Sequence, residues 1–123
     1  MIDLTQQVRQ ALEDEGLSPF YAYPQTWETV PVVAFWESGN TENEHADDAE
    51  LTSRIEYNID IWAETPEESH AISHTANAAM QGLGFIRMGC YDLFEGEIGT
   101  QLYHRNMTYQ MTTKNIMEVT NNA

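Results

Sequence analysis

His70 and His74 are the first residues whose types and spacing could do chemistry. Four positions apart on a helical stretch, two imidazoles can chelate a divalent metal. The zinc-protease pattern puts Glu directly after the first His, and Ala71 stands there instead. At about 100° per residue both rings turn away from the apolar stripe centred near Leu83, so they are expected in solvent without a metal. Cys90 lies in an apolar strand-like run with no base beside it, and reads as a buried structural thiol. Gly82-Leu83-Gly84 follows a helix and not a strand, which makes it a helix stop and not a phosphate loop. No Gly-x-Ser-x-Gly elbow occurs. With 20 Asp and Glu, close carboxylate pairs arise by chance, and none has an apolar setting that would raise a pKa. Asp60 comes nearest, between Ile59 and Ile61, but alternation sends it to the polar face. The expectation is no catalytic residue, no cofactor and no enzyme.

Against those 20 acids stand 5 Lys and Arg, a net charge of −15. Arg9, Arg54, Arg87, Arg105 and Lys114 are too scattered to build the basic patch that nucleic acid or an anionic membrane requires. Residues 1–61 hold 13 acids and 2 bases, and the later half holds 7 and 3, so the acidity is concentrated early. Apolar residues make up 41% of the chain, too many for a disordered acidic tail, and the length suits one domain. A single cysteine allows no internal disulfide. No basic leader and no run of 18 apolar residues is present, so a reducing cytoplasm is the expected place of synthesis.

The elements that would position these groups can be read from periodicity. Asp3, with Gln6 as capping partner, opens a helix over residues 4–15, with Leu4, Val8, Ala11 and Leu12 on one side and Gly16 as its stop. Pro19, Pro24 and Pro31 punctuate the next stretch, so the strands at 20–23 and 32–36 should be short or lie at an edge. Residues 37–50 lack periodicity and read as a long acidic loop. Residues 51–63 alternate cleanly, with Ile55, Tyr57, Ile59 and Ile61 against Arg54, Glu56, Asn58 and Asp60. Thr65-Pro66-Glu67-Glu68 then starts a second helix through its cap, its first-turn proline and its capping box. Ile72, Ala76, Ala79, Met80 and Leu83 form its buried stripe. Two more strands are expected over 85–94 and 102–113, and a tail begins at about 114. The expectation is one α+β domain over 1–123, a mainly antiparallel sheet with two helices on one face, in the order α-β-β-β-α-β-β.

Trp27, Trp36 and Trp62, with Phe20, Tyr21 and Tyr23, exceed what one small helix-on-sheet core requires. Strands 32–36 and 85–94 also carry large apolar groups on both faces. Either the monomer has a two-sided core, or the three tryptophans belong to a subunit interface.

Tyr57-Asn58-Ile59-Asp60-Ile61-Trp62-Ala63 running directly into Thr65-Pro66-Glu67-Glu68 resembles the tail terminator, or tail completion, proteins of long-tailed bacteriophages. So does the helix end Ala79-Met80-Gln81-Gly82-Leu83-Gly84-Phe85 with Arg87 beyond it. The N-terminal helix, the Pro-rich turn, the Val-Val-Ala-Phe strand and the late tyrosines Tyr103 and Tyr109 are similar to that family in order and length. The acidic stretch and the tail after Lys114 depart from it. The resemblance implies a homohexameric ring, in the virion and assembled in the host cytoplasm, that ends the tail tube at its head-proximal end and joins it to the neck. Its partners would be further copies of itself, a tail tube protein and a neck or head-completion protein. Genomic DNA would pass through without specific binding, and no membrane is involved. Glu42, Glu44, Asp47, Asp48 and Glu50 are then candidates for lining the channel or for docking. An acidic lumen repels duplex phosphate.

Two other classes compete. An acidic inhibitor that mimics DNA would share the charge and the empty active site, but would display its carboxylates along a rigid face. A metal-dependent hydrolase is favoured only by His70 and His74.

Overall fold

A computed structural model describes residues 1–23, 30–44, 51–95 and 102–114. In chain order its elements are α1 (Thr5–Asp14), β1 (Pro19–Tyr21), β2 (Val32–Glu44), β3 (Leu51–Ala63), α2 (Pro66–Gly82), β4 (Ile86–Glu95) and β5 (Leu102–Lys114). The strands form one sheet in the order β1-β2-β3-β5-β4. All neighbours are antiparallel except β1, which runs parallel to β2. The order and the class match the expectation from sequence.

Alternation in β3 decides the layering. Ile55, Tyr57, Ile59 and Ile61 are fully buried against Val8 and Leu12 of α1, Ala76, Ala79 and Met80 of α2, and Met107 and Tyr109 of β5. Both helices therefore cover one face of the sheet. Two phenols fasten them there. The Tyr57 hydroxyl lies 2.9 Å from Thr5 Oγ1 of α1, and the Tyr109 hydroxyl donates to Asn77 Oδ1 of α2 at 2.7 Å. Burial pushes both phenols up to about 12. At the start of α2, Thr65 Oγ1 accepts from the Glu68 N–H at 3.1 Å, and Pro66 occupies the first turn. Gly84, at φ +97°, turns the chain from α2 into β4, a conformation side chains avoid.

Three expectations are corrected. Residues 37–44 are strand and not loop: β2 continues past a bulge at Glu37/Gly39 and pairs with β3 from Gly39↔Glu56 to Glu44↔Leu51. The cause is tertiary. Beside β3, backbone groups that no local pattern would order find ladder partners, and Ser38 Oγ adds a 2.7 Å bond to Glu56 Oε1. Asp3 does not cap α1 with Gln6; its Oδ1 takes the Thr5 N–H at 3.0 Å, so α1 begins at Thr5 with Leu4 as an N-cap that has no side-chain bond. The strand expected at 20–23 is Pro19–Tyr21. Residues 45–50 and the tail beyond Lys114 lie outside the described residues.

Ile59→Ala should lower the unfolding free energy by about 2–5 kcal/mol, and Thr65→Ala by about 1 kcal/mol, in urea titrations with unchanged slope.

Candidate functional site

Opposite the helices, the even-numbered side chains of β3 and β5 meet in rows: Trp62 beside His104, Asp60 beside Asn106, Asn58 beside Thr108. Sequence alternation marks this face as polar, and so it is. Around Asp60 it is not solvated, however, since Asp60 is only 7% exposed and His104 9%. Asp60 Oδ1 receives Asn106 Nδ2 at 2.9 Å and lies 2.8 Å from His104 Nε2, while its Oδ2 receives the Trp36 indole N–H at 3.0 Å. Asn58 Oδ1 accepts from both Asn106 and Thr108 at 3.1 Å. The Trp62 ring stacks on His104, centroids 4.3 Å apart and 21° from parallel.

Burial alone would push the Asp60 carboxyl up. Its hydrogen bonds from His104, Asn106 and Trp36, with the attraction of His104, together hold it below the usual 3.8. Both carboxylate oxygens already have partners from other strands, so the group ties β2, β3 and β5 together and has little capacity left for a substrate. Sequence missed this network because its hydrogen-bonded partners are 24 to 50 residues apart. The one local signal was an acid between two isoleucines.

A second polar cluster joins β4, β5 and α2. Arg105 grips Asp92 through Nε at 2.7 Å and Nη2 at 3.1 Å, and its Nη1 donates to Ser73 Oγ at 3.1 Å. The guanidinium beside Asp92 holds that carboxyl below its ordinary range. His70 Nε2 approaches Asp92 Oδ2 at 3.9 Å, and His74 is exposed on the same helix. Among the described residues no three His, Cys, Asp or Glu come together as a metal cage. A cleft of about 300 Å³ lies beside this cluster, between Pro66 and Ser69 of α2 and Leu93, Tyr103 and His104 of the sheet. Cys90 is half-buried against the core.

The remaining candidates are dispersed. Trp36 is 38% exposed at the outer side of β2, whereas Trp62 is 4% exposed and packs with Val32 and Ala34 on the helix-free face. Glu42 Oε1 lies 3.5 Å from the Met1 amino group. Glu44 closes β2 opposite Leu51. Trp27, Asp47, Asp48 and Glu50 lie outside the described residues.

Large exposed apolar groups concentrate at the two ends of the strand order. Phe20, Tyr21, Tyr23 and Trp36 mark the β1/β2 edge, and Ile86, Met88, Tyr91 and Leu93 mark β4. In β4 a bulge falls between Arg87 and Gly89, and the Tyr91 ring lies so close over Gly89 that an added Cβ would sit 2.8 Å from it.

No family model matches the sequence, and no curated protein matches it. Solved structures do. The gp17 protein of bacteriophage SPP1 superposes with a TM-score of 0.52 at 16% identity, over 88% of each chain. A chain from the virion of a native gene transfer agent particle gives 0.48 at 13% identity, over 90% of this chain and 91% of that one. The sheath/tube terminator of an extracellular contractile injection system gives 0.47 at 12%, over 93% of this chain and 56% of that one. At 16% identity the SPP1 likeness is one of fold.

Asp60→Asn should destabilise the protein by about 1–3 kcal/mol near neutral pH, since buried donors lose a charged acceptor. The carboxyl is lowered in the folded state, so its contribution is complete above the ordinary carboxylate pKa and is lost as pH falls through the folded value. Melting curves of wild type and variant should therefore begin to approach each other only as pH falls below about 4.

Proposed function

We propose that this chain is a structural protein of a phage-type tail, forming a ring at the head-proximal end that terminates the tube and joins it to the neck. The observation that carries this reading is the fold shared with SPP1 gp17 along nearly the whole of both chains. The resemblance of residues 57–87 to tail terminators supports it independently. The side chains agree in kind. Asp60 and Asp92, two of the acids whose carboxyls are held low, are occupied in tying strands together.

The same reading assigns the charge a use. Six copies would carry sixfold the −15 of one chain around a lumen. Duplex DNA held by counterion release leaves slowly, so a lumen lined by Glu42, Glu44, Asp47, Asp48 and Glu50 lets the genome pass without adhering. Trp27, Trp36 and Trp62 are the proposed tryptophans of the subunit interface, of which Trp36 is exposed and Trp62 is packed within the sheet. The tube protein binds one side of the ring and the neck or head-completion protein the other, which places the chain in the virion after assembly in the host cytoplasm.

The test mixes the purified chain with tail tubes of its own phage and images them by negative stain. A ring seated at one tube end, with tubes no longer lengthening, is the expected result. Tubes that stay uncapped and keep growing at saturating protein overturn the proposal. Competition with DNA for a basic enzyme would instead identify an acidic inhibitor.

A further inference from the structure

Exposed apolar side chains at the two sheet edges bear on how copies of the chain meet. A patch used in a two-fold dimer is self-complementary and needs only one location. Here there are two unlike locations at opposite ends of one sheet. One is hollow: Tyr21, Ala22, Tyr23, Trp36 and Glu37 line a depression of about 260 Å³ at the β1/β2 edge. The other is aliphatic: Met88 stands at the β4 bulge with exposed Ile86 and Tyr91 near it, and Ile86 and Met88 border a second depression of about 260 Å³.

Charge also differs between the two edges. Arg87, beside Met88, is exposed and makes no ion pair among the described residues. Glu37, in the wall of the depression, accepts from Asn40 and Tyr57 and has no cation partner among them. Register puts both on the helix-covered side: Arg87 lies opposite Tyr109, and Glu37 opposite Tyr57. Two sheets meeting edge to edge with their helices on the same side therefore bring the cation and the acid together. Each edge offers on the order of 400 Å² of apolar surface, about the non-polar half of a face of ~800 Å² in a stable complex. Among the described residues no strand lies beyond β4, so its outer ladder is a place where a neighbour can pair.

We infer that the occupant of each edge is a second copy of this chain, joined head to tail: the β4 edge with Met88 packs against the aromatic β1/β2 edge of the next copy, and Arg87 pairs with its Glu37. Repetition of such a contact closes a ring or grows a filament. The inference rests on the ring reading above and names the contact that builds it.

The test uses the full chain with Met88→Glu at one edge and Tyr23→Glu at the other, both exposed positions, and reads mass by light scattering. The wild type should form multimers, and each variant should weaken self-association at least tenfold. Mixed together, the two variants retain one sound edge apiece and should give a two-chain complex that grows no further. Arg87→Glu should dissociate multimers, and adding Glu37→Arg in the same chain should restore them. Circular dichroism identical to wild type separates lost contact from lost fold. Multimers undiminished by Met88→Glu and Tyr23→Glu overturn this contact and leave the ring reading standing. A wild type that stops at two chains, or remains single at millimolar concentration, also overturns it. Tube capping then judges the ring on its own.

Discussion

The structure depends on the pairing register of β3. This strand is bonded on both sides, to β2 and to β5, and its two faces differ completely. One carries the fully buried Ile55, Tyr57, Ile59 and Ile61, and the other carries Asn58, Asp60 and Trp62. Slipping by one residue would drive Asp60 into the helices and strand Ile59 on the other side. The hydrogen bonds from Trp36 of β2 and Asn106 of β5 to Asp60, with His104 of β5 at 2.8 Å, are satisfied in one register alone. Specificity in this sheet therefore comes from a buried polar set as much as from the apolar core, whose attraction has no direction.

Much of this was legible in the amino-acid order. α2 announces itself through Thr65 and Pro66, and β3 and β5 through a period of two, because these signals act between near neighbours. β2 beyond Trp36 was not legible. Glu37-Ser38-Gly39-Asn40-Thr41-Glu42 has neither strand composition nor alternation, and its order comes from lying beside β3. The tie between Asp60 and His104 was hidden for the same reason, since only the fold brings them to 2.8 Å. Alternation correctly assigned Asp60 to the polar face, but periodicity cannot distinguish a solvated polar face from a buried one.

The division of labour among the cations is as informative as the excess of acids. Arg105 is committed to Asp92 and Ser73, and Arg9 to the Pro19 carbonyl and the Phe35 ring. Each joins separate elements of the fold. Glu13, Glu15, Glu64 and Glu67, by contrast, are exposed, and surface charge of one sign favours solubility.

The strand order also governs the chain during synthesis. β2 and β3 form a local hairpin, as do β4 and β5, but the seam between β3 and β5 joins residues from Ala63↔Tyr103 to Thr52↔Lys114. On the ribosome the first hairpin is therefore made well before its other neighbour exists. During that interval β3, which carries four fully buried core side chains, has a bare side, open to pairing with the wrong chain. Arg54, Glu56 and Asp60 alternate with its isoleucines, and charges set along a bare edge discourage such mispairing. The ionised residues that later line one face of the finished sheet thus also protect the nascent chain.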